Sequence, residues 1–229
     1  MKKAGLIVAL MLIIGTSGSY AQKNEAPFQF GFRFAPNIGW LKPGVEDYSG
    51  DGITMGFNWG FVGEYKFADN YSICSGFNIP INAGKLKFPY ADGKDTGTMY
   101  RRYSYKAIEI PVLLKMQTKA IGYFTYFMQM GLGTSINISA QAKDEFNVYT
   151  PAAKIVKKEP SIKSSTRFFR ESMIVGLGAQ YNVSGNTQIF GSLSFDNGFT
   201  NVLKGTNPVN GKSENAISNY VELSVGVLF

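Results

Sequence analysis

Residues 28–34 read Phe-Gln-Phe-Gly-Phe-Arg-Phe, with phenylalanine at every second position. A period of two belongs to a β-strand, whose successive side chains point to opposite faces. The same alternation recurs along the chain and predicts eight strands. They cover residues 28–40, 53–66, 71 to about 84, about 103–116, 123 to about 142, about 167–183, 187 to about 199, and 219–229. One face of each is bulky and apolar: Met55, Phe57, Trp59 and Phe61 in the second, Leu223, Val225 and Val227 in the last. The other face is small or polar, with Gly60, Gly76, Gly131, Gly178, Ser192 and Ser224 among its members.

The connections alternate in length. Residues 67–70, 117–122 and 184–186 make short turns, whereas 41–52, 85–102, 143–166 and 200–218 are expected as long loops. Short turns on one rim and long loops on the other is the layout of an outer-membrane barrel. Several segments exceed the roughly 9–11 residues that a tilted strand needs to cross a bilayer.

Alternation alone does not say which face is inside. A soluble barrel buries its apolar face, whereas a membrane barrel turns that face to lipid. Glycine weakens a water-exposed strand, but it suits the interior of a narrow barrel where facing strands lie close. The crowd of Phe, Trp, Tyr, Ile and Met on the opposite face would overfill an eight-stranded cylinder. The expected fold is therefore all-β: an eight-stranded, antiparallel, up-and-down transmembrane β-barrel over residues 28–229. Trp40, Tyr65, Tyr71, Tyr123 and Tyr181, near strand ends, are candidates for the membrane interfaces. An exported lipocalin-like barrel with an apolar pocket is the alternative.

With the small face inward, Arg33, Glu64, Lys66 and Glu109 point into the lumen, as do Lys115, Arg170, Asp196 and Glu222. In a narrow interior such charges must pair or meet water. The reading is a lumen network of mixed sign: either a polar plug that holds the barrel shut, or a path for ions or small solutes. Eight strands leave a lumen that side chains can fill. Pro111, which cannot donate to a ladder, is expected at an irregular point of its strand.

Composition narrows the chemistry. The chain has 229 residues, one cysteine (Cys74) and no histidine. Disulfide frameworks, paired-cysteine metal sites and histidine-dependent hydrolysis are thereby removed. No cofactor, metal or catalytic group is expected, and the chain is not read as an enzyme; Cys74 is a space-filler. Residues 1–21 combine Lys2 and Lys3, an apolar run of about a dozen residues and Ser19-Tyr20-Ala21, the pattern of a cleaved signal peptide rather than an anchor helix. Residues 22–27 would then be a short periplasmic segment. Glycine runs at 131–135 and 176–180 lie mid-strand with no helix to follow, so no phosphate cradle forms there.

The segment YKAIEIPVLLKMQT, residues 105–118, resembles the porin-family, PorT-like outer-membrane β-barrel proteins of Bacteroidetes-type bacteria. FRFAPNIGW and SFDNGFTNV are similar in spirit to that group, and the terminal VELSVGVLF, ending in Phe229, resembles the signal read by the barrel assembly machinery. The resemblance implies an outer-membrane location and no catalytic residues. It also implies that machinery as a partner during biogenesis, and an accessory role in a secretion or envelope assembly for one branch.

The formal charge is +7, with Lys2 and Lys3 contributing two of it, and the excess lies in the expected long loops. Lys85, Lys87, Arg101 and Arg102 stand in one, and Lys154, Lys157, Lys158 and Lys163 in another. On the cell exterior these cations would meet outer-membrane lipid and lipopolysaccharide phosphate. The alternative is ordinary solvated loops. Nucleic acid does not fit the compartment.

Overall fold

The alternating segments form strands, and the strands close on themselves. The computed structural model describes residues 27–93, 95–149, 153–159, 161–207, 209, 211 and 213–229. The expected signal peptide and residues 22–26 lie outside the described residues. Strand β1 (Phe28–Pro43) is followed by the two-residue β2 (Ser49–Gly50), then by β3 (Thr54–Ala68), β4 (Tyr71–Asp92) and β5 (Asp95–Gln117). Next come β6 (Phe124–Val148), β7 (Ala153–Glu159), a 3-10 turn (Lys163–Ser165), β8 (Phe169–Ser184), β9 (Thr187–Gly198) and β10 (Ala216–Leu228). Neighbours pair antiparallel in the order β1-β3-β4-β5-β6-β8-β9-β10, and β10 returns to β1. That is the expected ring of eight. Strand β2 adds to β4, and β7 adds to the far end of β6.

The pleat sorts the side chains as the sequence suggests. In β1, Phe28, Phe30, Phe32 and Phe34 are exposed, while Gln29 and Arg33 between them, and Asn37 further along, are buried. Phe57, Val112, Leu132, Leu177, Leu193 and Leu223 join the phenylalanines on the outer surface. Such an apolar belt is stable against lipid, and a soluble protein would not leave it bare. Tyr65, Tyr71, Tyr123 and Tyr181 ring the short-turn end, with Tyr123 and Tyr181 centroids 5.8 Å apart. At that end Gly185 takes φ +55°, closing the tight turn between Ser184 and Thr187.

Two of the expected long loops are largely strand, and a third is partly so. Strands β4, β5 and β6 run for 22, 23 and 25 residues, roughly twice what a bilayer needs. Residues 85–92 and 95–102 pair as the end of a β-hairpin, 143–148 continue β6, and 153–159 pair with β6 as β7. Residues 41–52 begin with the last residues of β1 and pair through β2 onto β4. The described residues of 200–215 are mostly irregular, with isolated bridges such as Thr166 to Leu203.

The reason is an inversion of the apolar phase. In β4 the exposed apolar residues Tyr71, Ile73, Phe77 and Ile81 are odd-numbered, whereas the buried Leu86 and Phe88 are even-numbered. The register against β5 is unbroken from Ile81 to Asp92, so the apolar side has passed from outside to inside. In β5, Ile110, Val112 and Leu114 face out, while Met99, Tyr103 and Tyr105 are buried. A sheet whose outer face meets lipid puts its apolar side outward, and one bathed in water puts it inward. The inversion marks where lipid ends. In β6 the apolar residues stay even-numbered on both sides of the boundary, so the backbone must change instead. Lys106 opposes Ser139 and Ala107 opposes Asn137, leaving Ile138 as an extra residue that turns Ala140, Ala142, Phe146 and Val148 inward.

The largest apolar core therefore lies in this extension, beyond the lipid belt. Tyr48, Leu86, Phe88, Tyr103, Phe146 and Leu203 are among its members. Tyr48 stacks on Phe88 at 4.5 Å. Pro111 falls where the β4–β5 pairing lapses between Ser75–Val112 and Asn78–Glu109, as a residue without an N–H requires.

Candidate functional site in the closed lumen

Inward parity on β1, β5, β8, β9 and β10 sends five charges to the middle of the barrel. Arg33 forms an ion pair with Glu222, which also accepts from Asn58 Nδ2 at 3.1 Å. Arg170 pairs with Asp196, donates to the Ser218 carbonyl at 2.9 Å, and stands 3.8 Å from Glu109. Its guanidinium lies 5.4 Å from the Tyr220 ring centroid. Glu109 accepts from Ser135 Oγ at 3.0 Å and Tyr220 Oη at 3.2 Å, and Asp196 accepts from Ser172 Oγ at 2.9 Å. Two guanidiniums thus face three carboxylates, with hydroxyls and an amide meeting the remaining lone pairs. Glu109, Asp196 and Glu222 are all buried, as a desolvated charge can be only when so satisfied.

A second pair lies toward the short turns. Lys115 Nζ donates to Glu64 Oε2 at 2.6 Å and sits 4.5 Å from the Phe127 ring centroid. Around it the lumen is apolar: Phe127, Phe190 and Leu228 form one cluster, and Cys74, Leu113 and Ile174 another. The rings fit because their cross-strand neighbours are glycines. Phe127 opposes Gly178 and Phe190 opposes Gly226, and each ring occupies the space a Cβ there would need. A cavity of about 40 Å³ remains beside Arg33, Glu64, Cys74 and Lys115, room for a water or two. At the short-turn mouth, Lys66 lines an open polar vestibule of about 480 Å³ with Gln29, Asp69, Gln180 and Gln188.

Seven of the eight expected lumen charges thus join one of two buried clusters, and Lys66 stands at the mouth. Ser135 and Ser172, from the small face expected to turn inward, join the first cluster, as do Tyr220 and Asn58, which the sequence does not mark out. Their signal was parity: Tyr220 shares the inward face of β10 with Glu222 and Ser224. Beyond this layer lies the apolar core of the extension, so two layers of buried side chains of different character follow one another along the barrel.

The expected surface cations divide. Lys87 and Arg102 are exposed on the outer face, Lys85 is half-buried there, and Lys154, Lys157, Lys158 and Lys163 are exposed. Lys154 pairs with Glu145 at 2.7 Å. Arg101 corrects the expectation: it and Arg102 are adjacent on one strand, so only one can face out. Arg101 turns inward and grips Asp144 with two donors, Nε to Oδ1 at 2.6 Å. Burial works against its charge, but Asp144 more than offsets this, and its pKa lies above the ordinary arginine value. Phe229 is exposed at the end of β10; its N–H donates to the Phe30 carbonyl at 2.9 Å and its carbonyl accepts from the Phe30 N–H at 3.3 Å, completing the seam.

A closed ring of eight antiparallel strands, apolar outside and charged inside, defines a small membrane β-barrel. The chain belongs to the outer membrane protein beta-barrel domain family, whose pattern matches residues 20–204. Among solved structures it is similar to the outer membrane protein OprG from Pseudomonas aeruginosa, at 11% identity and TM-score 0.50, over 88% of this chain and 95% of that one. It is also similar to Neisserial surface protein A, at 11% identity and TM-score 0.47, over 89% and 96% of the two chains. At 11% identity the likeness to OprG concerns the fold alone. No curated protein matches the chain.

Proposed function

We propose that the protein is a closed, non-enzymatic outer-membrane barrel that stabilises the envelope and presents a rigid extension to the cell surface. The observation that carries this is the double closure of the lumen. The Arg33–Glu222 and Arg170–Asp196–Glu109 layer lies across the middle, and the Phe88–Tyr103–Phe146 core covers the far end. A solute path would need both to open. The short turns then face the periplasm and the extension faces outward, where its cations meet lipopolysaccharide. Residues 1–21 act as the export signal and Phe229 as part of the signal for barrel assembly. The fourth-strand motif EIPVLLK supports a place among PorT-like barrels.

Planar-bilayer recording tests closure. Purified protein inserted at single-molecule density should give no reproducible conductance step. Stable steps of one size, seen in every preparation, would favour the reading as an ion or small-solute pore and refute this one.

A further inference from the structure

The extension carries a feature that only the register reveals. Lys85 of β4 is directly opposite Arg102 of β5, Arg102 opposite Lys143 of β6, and Lys143 opposite Lys158 of β7. Residues opposite one another in a ladder share a face, so these four cations form one rung across four adjacent strands on the outer surface. With strands about 4.8 Å apart, the rung is roughly 14 Å long. Like charges placed directly opposite destabilise a sheet. Among the described residues, no carboxylate lies within ion-pair distance of any of the four. Two acids of β6 are engaged elsewhere: Glu145 with Lys154, and Asp144 with Arg101 on the other face.

The position of the rung is as informative as its charge. The apolar belt ends at Ile81, which opposes Lys106. Ala83, which is small and buried, and the half-buried Ser104 form the next pair of the same parity, and Lys85 with Arg102 the one after. Four residues along a strand tilted by about 40° rise roughly 10 Å. The rung therefore stands at the depth of phosphorylated sugar headgroups, just above the acyl chains. We propose that the Lys85–Arg102–Lys143–Lys158 rung is a binding site for the phosphates of lipopolysaccharide in the surrounding leaflet. The site rests on the outer-membrane reading above and deepens it. The ligand's phosphates neutralise the rung, and the planar Arg102 fork binds one phosphate with two donors while the three ammoniums act as point charges.

The test uses the full protein, folded in detergent and freed of divalent cations. Its dissociation constant is measured by thermophoresis at 0.15 M salt for lipopolysaccharide and for the same material stripped of phosphate. The wild type should bind the phosphorylated form at least tenfold more tightly. The variant K85S/R102S/K143S/K158S should lose at least tenfold and no longer distinguish the two ligands. K42S/K119S/R167S/K204S, which removes four exposed cations away from the rung, should stay within threefold of wild type. A separate variant, K143E, relieves repulsion within the rung, so it folds at least as readily and should still bind several-fold more weakly. Equal losses in the two quadruple variants, or a wild type indifferent to phosphate, would overturn the site. Closure is read separately by conductance, so a conducting barrel with an intact rung refutes only the function proposed above.

Discussion

Replacing Arg170 with methionine tests whether the lumen is as dry as its geometry demands. Arg170 holds Asp196 directly, approaches Glu109 and donates to the Ser218 carbonyl. Its side chain is only 6% exposed and those of both acids 2%, so methionine keeps the volume but leaves two carboxylates without their cation. Removing one partner of a buried pair costs about 3–5 kcal/mol, because the remaining charge stays desolvated. The expected loss for Arg170→Met is in that range. A second substitution, Asp196→Asn, removes one of the stranded charges and should recover at least about 1 kcal/mol by the same reasoning. The assay is urea unfolding in phospholipid vesicles, followed by fluorescence of the two tryptophans, Trp40 and Trp59. If Arg170→Met cost under about 1 kcal/mol with an unchanged urea slope, water would be reaching those carboxylates and the plug would be wet.

Two other substitutions or conditions probe different layers. Gly178→Val puts a side chain where the Phe127 ring lies, and overpacking of this kind costs about 1–3 kcal/mol; the gel-shift temperature of the folded barrel should fall, and an unchanged temperature would show that the ring is free to move aside. Burial raises the pKa of the Tyr103 phenol, which lies in the extension, so the folded state holds that proton more tightly than the unfolded chain does. Its contribution is complete below about pH 10 and is lost as pH rises beyond that, so protease resistance of the 85–102 hairpin should decline on the alkaline side while the lipid-embedded part stays protected.

The membrane-spanning parts of the strands were legible because lipid imposes a strict rule on alternate positions. Phe28 to Phe34 already shows which side is outward once the glycine-rich face is recognised as too small for anything but a lumen. The extension was hidden because the same rule reverses there. Lys85, Lys87 and Arg102 look like loop charges until Leu86, Phe88 and Tyr103 are seen as an inward row, and in β6 the reversal depends on one extra residue at Ile138. Arg101 was misplaced for that reason: a loop has no parity to respect, a strand does. Lumen membership was readable, but partnership was not. Arg33 is opposite Gly226 in the ladder yet pairs with Glu222, four residues away, because the tilt of the barrel brings staggered positions together. Phe127 and Phe190 are directly opposite the glycines that receive them, but which positions of two strands face each other depends on register, which a sequence does not display.

Spin labels read most directly which face of each strand meets lipid. With Cys74 replaced by serine, single labels are placed at Phe57, Phe195 and Ser194 in vesicle-inserted protein, and their collisions with oxygen and with a water-soluble nickel complex are compared. Labels at Phe57 and Phe195 should favour lipid-dissolved oxygen strongly, and the label at Ser194 should be screened from it. Shielded labels at Phe57 and Phe195, with the nickel complex reaching Ser194 as freely as bulk solvent, would mean the apolar side chains form a core rather than a lipid-facing wall.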